Sequence, residues 1–188
     1  MVGIAEKGGG IVRTPKPRKL LDFDALMQYA GRALAARAQS SSELRTRLKR
    51  RAARQEDVDQ VIGRMKDLGY LNDRRFADSF ANLRRENQGV GRSKVVRDLM
   101  ARRVAPAVAR QAVEAAYKGS DEVALIEQYL ARKYRGKDLR SLLQEEKHLA
   151  SAYRKLIGAG FGAGNSIRVL KRYAAAADLL EEPPEIPE

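Results

Sequence analysis

The chain has 188 residues with 37 Lys and Arg against 24 Asp and Glu, a formal charge of +13, no Cys, no Trp and a single His. This excludes a disulfide scaffold, a thiolate zinc site and a cysteine nucleophile, while an apolar fraction of 44% excludes wholesale disorder. No apolar run approaches the roughly 20 residues of a membrane helix, and a cation surplus of this size predicts a polyanionic partner or an acidic protein surface.

Residues 1–19 carry five cations and one anion, three consecutive Gly and the Pro15/Pro17 pair, and no apolar stretch of a signal peptide. They are expected to be a disordered basic tail, serving as solvated chain end or as an auxiliary anion-binding arm. From there the pattern is helical. Ala, Leu, Arg, Lys and Glu dominate, and apolar residues recur at three and four, as in Phe23, Leu26, Met27, Ala30, Ala33 and Leu34. Helices are expected near 21–38, 41–53, 56–68, 73–87, 92–102, 106–117, 121–135, 146–160 and 165–180. Ser40 and Glu43 read as a capping box, Asn72-Asp73 as a helix start and Pro106 as a first-turn residue. Gly69, Gly119 and Gly136 suit helix C-termini. The segment 178–188 carries five anions and no cation, and Pro183, Pro184 and Pro187 stop the last helix near Leu180. Residues 181–188 are expected to be a disordered acidic tail able to compete with nucleic acid for the basic surface.

Self-comparison reveals a repeat. With Leu48, Leu99 and Leu156 aligned, Leu44, Val95 and Ala152 stand four residues earlier. Ala53, Val104 and Phe161 stand five later, and the pairs Val61-Ile62, Ala112-Val113 and Val169-Leu170 follow at a common offset. The anchors lie 51 and 57 residues apart, the excess falling in the polar stretch Gly136 to Glu145. The expected fold is all-α, an elongated array of three tandem three-helix modules at 20–71, 72–119 and 120–180. A lone module of this size is marginal, whereas stacked modules share apolar faces. The alternative is one irregular bundle with chance similarity.

The charge follows the repeat. Residues 20–71 hold +3, 72–119 hold +6 and 120–177 hold +5. Candidate partner- or phosphate-binding residues are Arg45, Arg47, Lys49, Arg50, Arg51 and Arg54 in module one. Module two contributes Arg74, Arg75, Arg84, Arg85, Arg92, Arg102 and Arg103, and module three Arg168, Lys171 and Arg172. Arg binds phosphate or carboxylate through a planar fork, and a distributed basic face can follow a phosphate backbone or an acidic groove. The tyrosines and phenylalanines, at helical spacing, read as core or module-interface residues rather than base-stacking platforms. The pair 41–53 and 56–68 has a helix–turn–helix look, but Glu56, Asp57 and Asp59 at the start of its second helix repel phosphate. No catalytic set is apparent: His148 stands alone, and the Gly-rich stretches at 89–94 and 158–164 match no phosphate-binding fingerprint and read as loops between helices. No cofactor or metal is expected.

Leu68-Gly69-Tyr70-Leu71-Asn72-Asp73-Arg74-Arg75-Phe76-Ala77 resembles the junction of the first and second modules in the RecX family of bacterial recombination regulators. Ser42-Glu43-Leu44 through Leu48, and Lys155-Leu156-Ile157 through Phe161 with Ile167 and Val169-Leu170, resemble its first and third modules. The likeness spans roughly 22–177. Arg51-Ala52-Ala53 and Arg102-Arg103 depart from the family pattern, which often has Gly and a branched apolar residue there. The resemblance implies a non-enzymatic, cytoplasmic regulator of DNA repair and recombination in the SOS response, and without a long heptad seam a monomer is expected. It implies RecA and the RecA–single-stranded DNA filament as partners, with recombinase activity inhibited by blocking filament growth or promoting disassembly. The alternative is a general basic nucleic-acid-binding helical protein without RecA.

Overall fold

A computed structural model describes residues 20–180; the basic and acidic tails lie outside the described residues. These residues form α1 Phe23–Ala36, α2 Ser41–Lys49, α3 Gln55–Asp67, α4 Asp73–Leu83, α5 Arg92–Ala101, α6 Pro106–Ala116, α7 Glu122–Lys133, α8 Leu139–Leu142, α9 Glu146–Gly158 and α10 Ala163–Leu170. The fold is all-α, with no named strand among the described residues.

Local chemistry explains most boundaries. Ser40 Oγ accepts from the Glu43 amide at 3.1 Å while the Glu43 carboxylate accepts from the Ser40 amide at 3.1 Å, a complete capping box. Asn72 Oδ1 accepts from the Arg75 amide at 2.9 Å, and Pro106 opens α6. Gly69 ends α3 at φ +72, and the Tyr70 amide returns to Met65 O at 3.0 Å, a Schellman turn.

Four boundaries differ from expectation. The helix expected to reach residue 87 ends at Leu83 and widens into a π turn, Arg84–Gln88. The polar stretch 136–145 contains a short helix, α8, capped by Asp138, whose carboxylate accepts from the Arg140 amide at 3.0 Å. The last expected helix, 165–180, ends instead at Leu170. The amides of Tyr173 and Ala174 both return to Leu170 O, at 2.9 and 3.0 Å, and a 3-10 turn follows at Ala175–Leu179. The Gly-rich stretch 158–164 is no simple loop: Gly158 closes α9, and Ala163 and Gly164 open α10.

Burial divides the chain into three apolar clusters. The first includes Leu26, Leu44, Leu48, Val61 and Ile62, the second Phe76, Val95, Leu99, Ala112 and Val113, and the third Ile126, Leu130, Leu156, Val169 and Leu170. Each is built from three principal helices: α1–α3, α4–α6, and α7 with α9 and α10. The anchors Leu48, Leu99 and Leu156 are fully buried, as are Leu44, Val95 and Ala152. One anchor slips. Ala53 is exposed and Ala52 is buried. In modules two and three the turn after the second helix passes through a left-handed residue, Arg103 at φ 61 and Gly160 at φ 87. Module one turns without one, so its core residue arrives one position sooner. Leu21 then pairs alongside, its amide donating to Arg51 O at 2.7 Å and its carbonyl accepting from the Ala53 amide at 2.8 Å.

The modules join by a contact used twice. Ser40 Oγ donates to Arg102 O at 2.6 Å, and the Gly91 amide donates to Ala159 O at 2.8 Å. Ser40 and Gly91 are the N-caps of α2 and α5. Arg102 and Ala159 are the C-caps of α5 and α9. The second helices of modules one and two, α2 and α5, therefore each start on the end of the next module's second helix, with opposite dipole ends facing. At the second junction the backbones touch directly. A Cβ on Gly91 would lie 2.1 Å from Gly160 O, and one on Gly160 2.2 Å from the Lys94 amide nitrogen. Gly63 in α3 has open space around it.

Gly91→Ala is expected to cost about 1–3 kcal/mol by forcing the junction apart, whereas Gly63→Ala should stabilise by about 0.5–1 kcal/mol. Urea unfolding measures both, and equal effects would contradict the junction geometry. Leu48→Ala, Leu99→Ala and Leu156→Ala should each cost roughly 2–5 kcal/mol; a near-neutral result at any one would break the equivalence of the modules.

Candidate anionic-partner interface

The cations read from the sequence separate into those the fold uses and those it leaves open. Arg102 is the most engaged. Its Nε and Nη2 donate to the Glu43 carboxylate at 3.2 and 3.1 Å, and Nη2 also donates to Ala38 O at 3.1 Å. The guanidinium lies 4.7 Å from the Phe76 ring centre and 5.5 Å from that of Phe80. One side chain thus ties the end of α1, the start of α2 and the face of α4. Arg103 reaches Thr46 Oγ1 at 3.1 Å across the same junction.

Other candidates also serve the scaffold. Arg85 donates to Ala116 O at 2.5 Å and Arg92 to Tyr117 O at 3.0 Å, so both cap the C-terminus of α6. Arg84 pairs with Asp98 at 3.1 Å and covers Phe80. Arg74 pairs with Asp78 at 3.1 Å, and Arg75 donates to Gly69 O at 2.7 Å. In module one, Arg45 meets Asp59 at 3.0 Å, and Arg47 and Arg51 lie over the Tyr29 ring. Arg54 bonds Asp57 at 3.0 Å, a carboxylate that raises the Arg54 pKa further. Asp57 itself is buried. Arg172 pairs with Glu127, beside exposed Lys171.

Lys49, Arg50 and Arg168 are exposed with no side-chain partner among the described residues. The structure adds others that sequence reasoning did not single out: Arg110 and Lys118 on module two, and Arg140. With Lys133, Arg135 and Lys137, Arg140 makes the end of α7 and the segment after it a dense group of open cations. Arg132, in the same run, is instead a junction residue, donating to Asn87 O at 3.2 Å and Gln88 O at 2.7 Å. No group of His, Cys, Asp and Glu among the described residues is arranged to hold a metal, and no described helix is long and apolar enough to cross a membrane.

A groove of about 500 Å3 opens where modules one and two meet. Tyr70 and Leu83, 67% and 56% exposed, stand on it with Arg37, Arg75 and Arg102. Among the aromatics expected as core or module-interface residues, Tyr70 is not core: it stands at the junction of the two modules but remains exposed. The left-handed Gly69 turn sends Leu71 into the core, 3% exposed, and Tyr70 outward. Its sequence signal was the residue directly after a helix-ending Gly.

Tyr117 marks the centre of module two. It is 1% exposed, and its hydroxyl donates to Val90 O at 2.6 Å. Burial pushes its pKa up to about 12, with Arg85 and Arg92 opposing. A raised phenol pKa means the folded state prefers the neutral form. Its contribution is therefore complete below the unfolded value near 10 and is lost as pH rises towards about 12.

The fold and surface define a basic, all-helical protein of repeated three-helix modules. The family profile described as "RecX, second three-helix domain" matches residues 72–113. The regulatory protein RecX of Deinococcus radiodurans is 36% identical over 150 residues, 80% of this chain and 68% of the relative. That of Chromohalobacter salexigens is 35% identical over 122 residues, 64% and 78% of the two chains. A crystal structure of RecX from Lactobacillus salivarius superposes with a TM-score of 0.61 at 16% identity, covering 84% of this chain and 97% of that one. The chain belongs to the RecX family of regulatory proteins.

Removing Arg102 and Glu43 singly and together is expected to give a coupling energy of about 1–2 kcal/mol in a double-mutant cycle; additive losses would deny their pairing. Tyr117→Phe should cost about 1 kcal/mol at neutral pH and flatten the fall of stability between pH 10 and 12, read by denaturant unfolding across that range. A wild-type curve level over those two pH units would contradict the buried phenol.

Proposed function

We propose that this RecX-family protein binds RecA and its filament on single-stranded DNA and inhibits the recombinase, by blocking filament growth or promoting disassembly. It does so without catalysis of its own, as a cytoplasmic monomer in recombination and repair, with 20–71, 72–119 and 120–180 as its modules. The observation that carries this reading is family membership at 36% identity over 150 residues. The open cations on every module support it: Lys49 and Arg50 on the first, Arg110 and Lys118 on the second, Arg168 and the segment after α7 on the third. Charge spread along successive modules suits a long anionic surface better than a point ligand.

The internal ion pairs sharpen where contacts should be sought. Of the candidates named from sequence, Lys49, Arg50 and Arg168 are free to meet a partner. Arg102, Arg84 and Arg54 already satisfy carboxylates of this chain. Reversing Arg102 would set a carboxylate against Glu43 at a junction and damage the array itself.

Purified protein should therefore slow RecA-driven strand exchange and ATP turnover at low salt, and excess competitor DNA should not abolish the effect. Full relief by competitor DNA would favour a general nucleic-acid binder, and no effect on either assay would overturn the reading. The triple variant Lys49→Glu, Arg50→Glu, Arg168→Glu should keep its helical circular dichroism and weaken inhibition. Any direct binding to single-stranded DNA should lose about 0.7 in log–log salt slope for each phosphate contact removed.

A further inference from the structure

We propose that the groove between modules one and two is a docking site for an acidic segment of a protein partner that carries one apolar anchor side chain. The assignment rests on the filament-binding reading above, with the recombinase as the source of the segment. Three features of the groove support it. Its lining includes three arginines and no carboxylate, so an anionic occupant is favoured over a neutral or basic one. Two of those arginines have donors to spare. Arg37 is 54% exposed and only approaches Glu43, at 3.7 Å. Arg75 spends one nitrogen on Gly69 O and is otherwise exposed. A guanidinium with free donors binds a carboxylate through charge-assisted bonds.

The apolar part of the lining identifies the kind of anion. Tyr70 and Leu83 are among the few large apolar side chains left exposed in the described chain, and both face this one groove. Leu34 adds an aliphatic wall. Exposed apolar surface rimmed by polar groups is the form of a protein-interaction patch. A single-stranded nucleic acid fits less well, because stacking needs open aromatic faces. The Phe76 and Phe80 rings are already covered by the guanidinium groups of Arg102 and Arg84, at 4.7 and 5.0 Å. Tyr70 alone remains as a platform, and aliphatic walls suit a branched or aromatic side chain better than a base.

The groove also has a defined width because its two sides are fixed to each other. Arg102 belongs to module two and is bonded to Glu43 and Ala38 of module one. A partner seated there would grip two modules at once, whereas the open cations elsewhere act module by module.

The test uses the full chain with p-benzoyl-phenylalanine in place of Tyr70, irradiated on RecA–single-stranded DNA filaments and analysed after sedimentation. The expected product is a crosslink to an acid-rich segment of the recombinase. In parallel, Tyr70→Ala should weaken filament binding about tenfold or more with helical circular dichroism unchanged. Crosslinks to DNA alone, to residues 181–188 of this chain or to a second copy would each overturn the assignment. So would normal co-sedimentation with no crosslink and no effect of Tyr70→Ala. Failure of the unsubstituted chain to co-sediment would overturn the functional reading first and the partner's identity with it.

Discussion

A carbonyl three residues past the buried leucine of one module is bonded by the N-cap of the module before it. Arg102 O takes the Ser40 hydroxyl and Ala159 O takes the Gly91 amide. The array depends on this contact. Each apolar cluster is small, and a three-helix unit of about 50 residues buries too little surface to be robust alone. Joining the ends of α9, α5 and α2 satisfies helix-terminal groups that would otherwise need water and sets one module's register on the next. Arg102 at one junction and the Gly91–Gly160 backbone contact at the other reinforce the same joint by different chemistry.

That joint explains why so basic a chain keeps so few of its central cations open. Arginine is the residue best suited to hold a helix end, an aromatic face and a carboxylate together, because its fork is planar and permanently charged. Module two spends Arg84, Arg85, Arg92 and Arg102 in this way. The charge left open at the surface is carried instead by residues at the edges of helices, such as Lys49, Arg50, Lys118 and the run from Lys133 to Arg140.

Much of the fold was legible because helices announce themselves locally. The Ser40–Glu43 box, the Asn72 cap, the Gly69 turn and the buried pairs at fixed offset all follow from residue type and spacing. What was not legible depended on a turn or on a partner far along the chain. Ala52 replaces Ala53 in the core because a turn without a left-handed residue is shorter, and Leu170 ends its helix where no Gly or Pro marks the stop. The candidate site was legible as charge but not as availability. Arg102 and Lys49 read alike in sequence; only the 59-residue span from Glu43 to Arg102 separates a structural cation from an open one. Tyr70 escapes for a local reason: it follows the helix-ending Gly69, whose left-handed turn points it outward and Leu71 inward.

The central claim is that these junctions make three modules one body. The chain has no native Cys, so Arg32→Cys in α1 and Lys147→Cys in α9, both exposed, allow two spin labels at its ends. Pulsed electron–electron double resonance should give one narrow distance distribution, broadened by Gly91→Ala. A broad distribution in the otherwise unsubstituted chain would show modules moving independently and contradict the account.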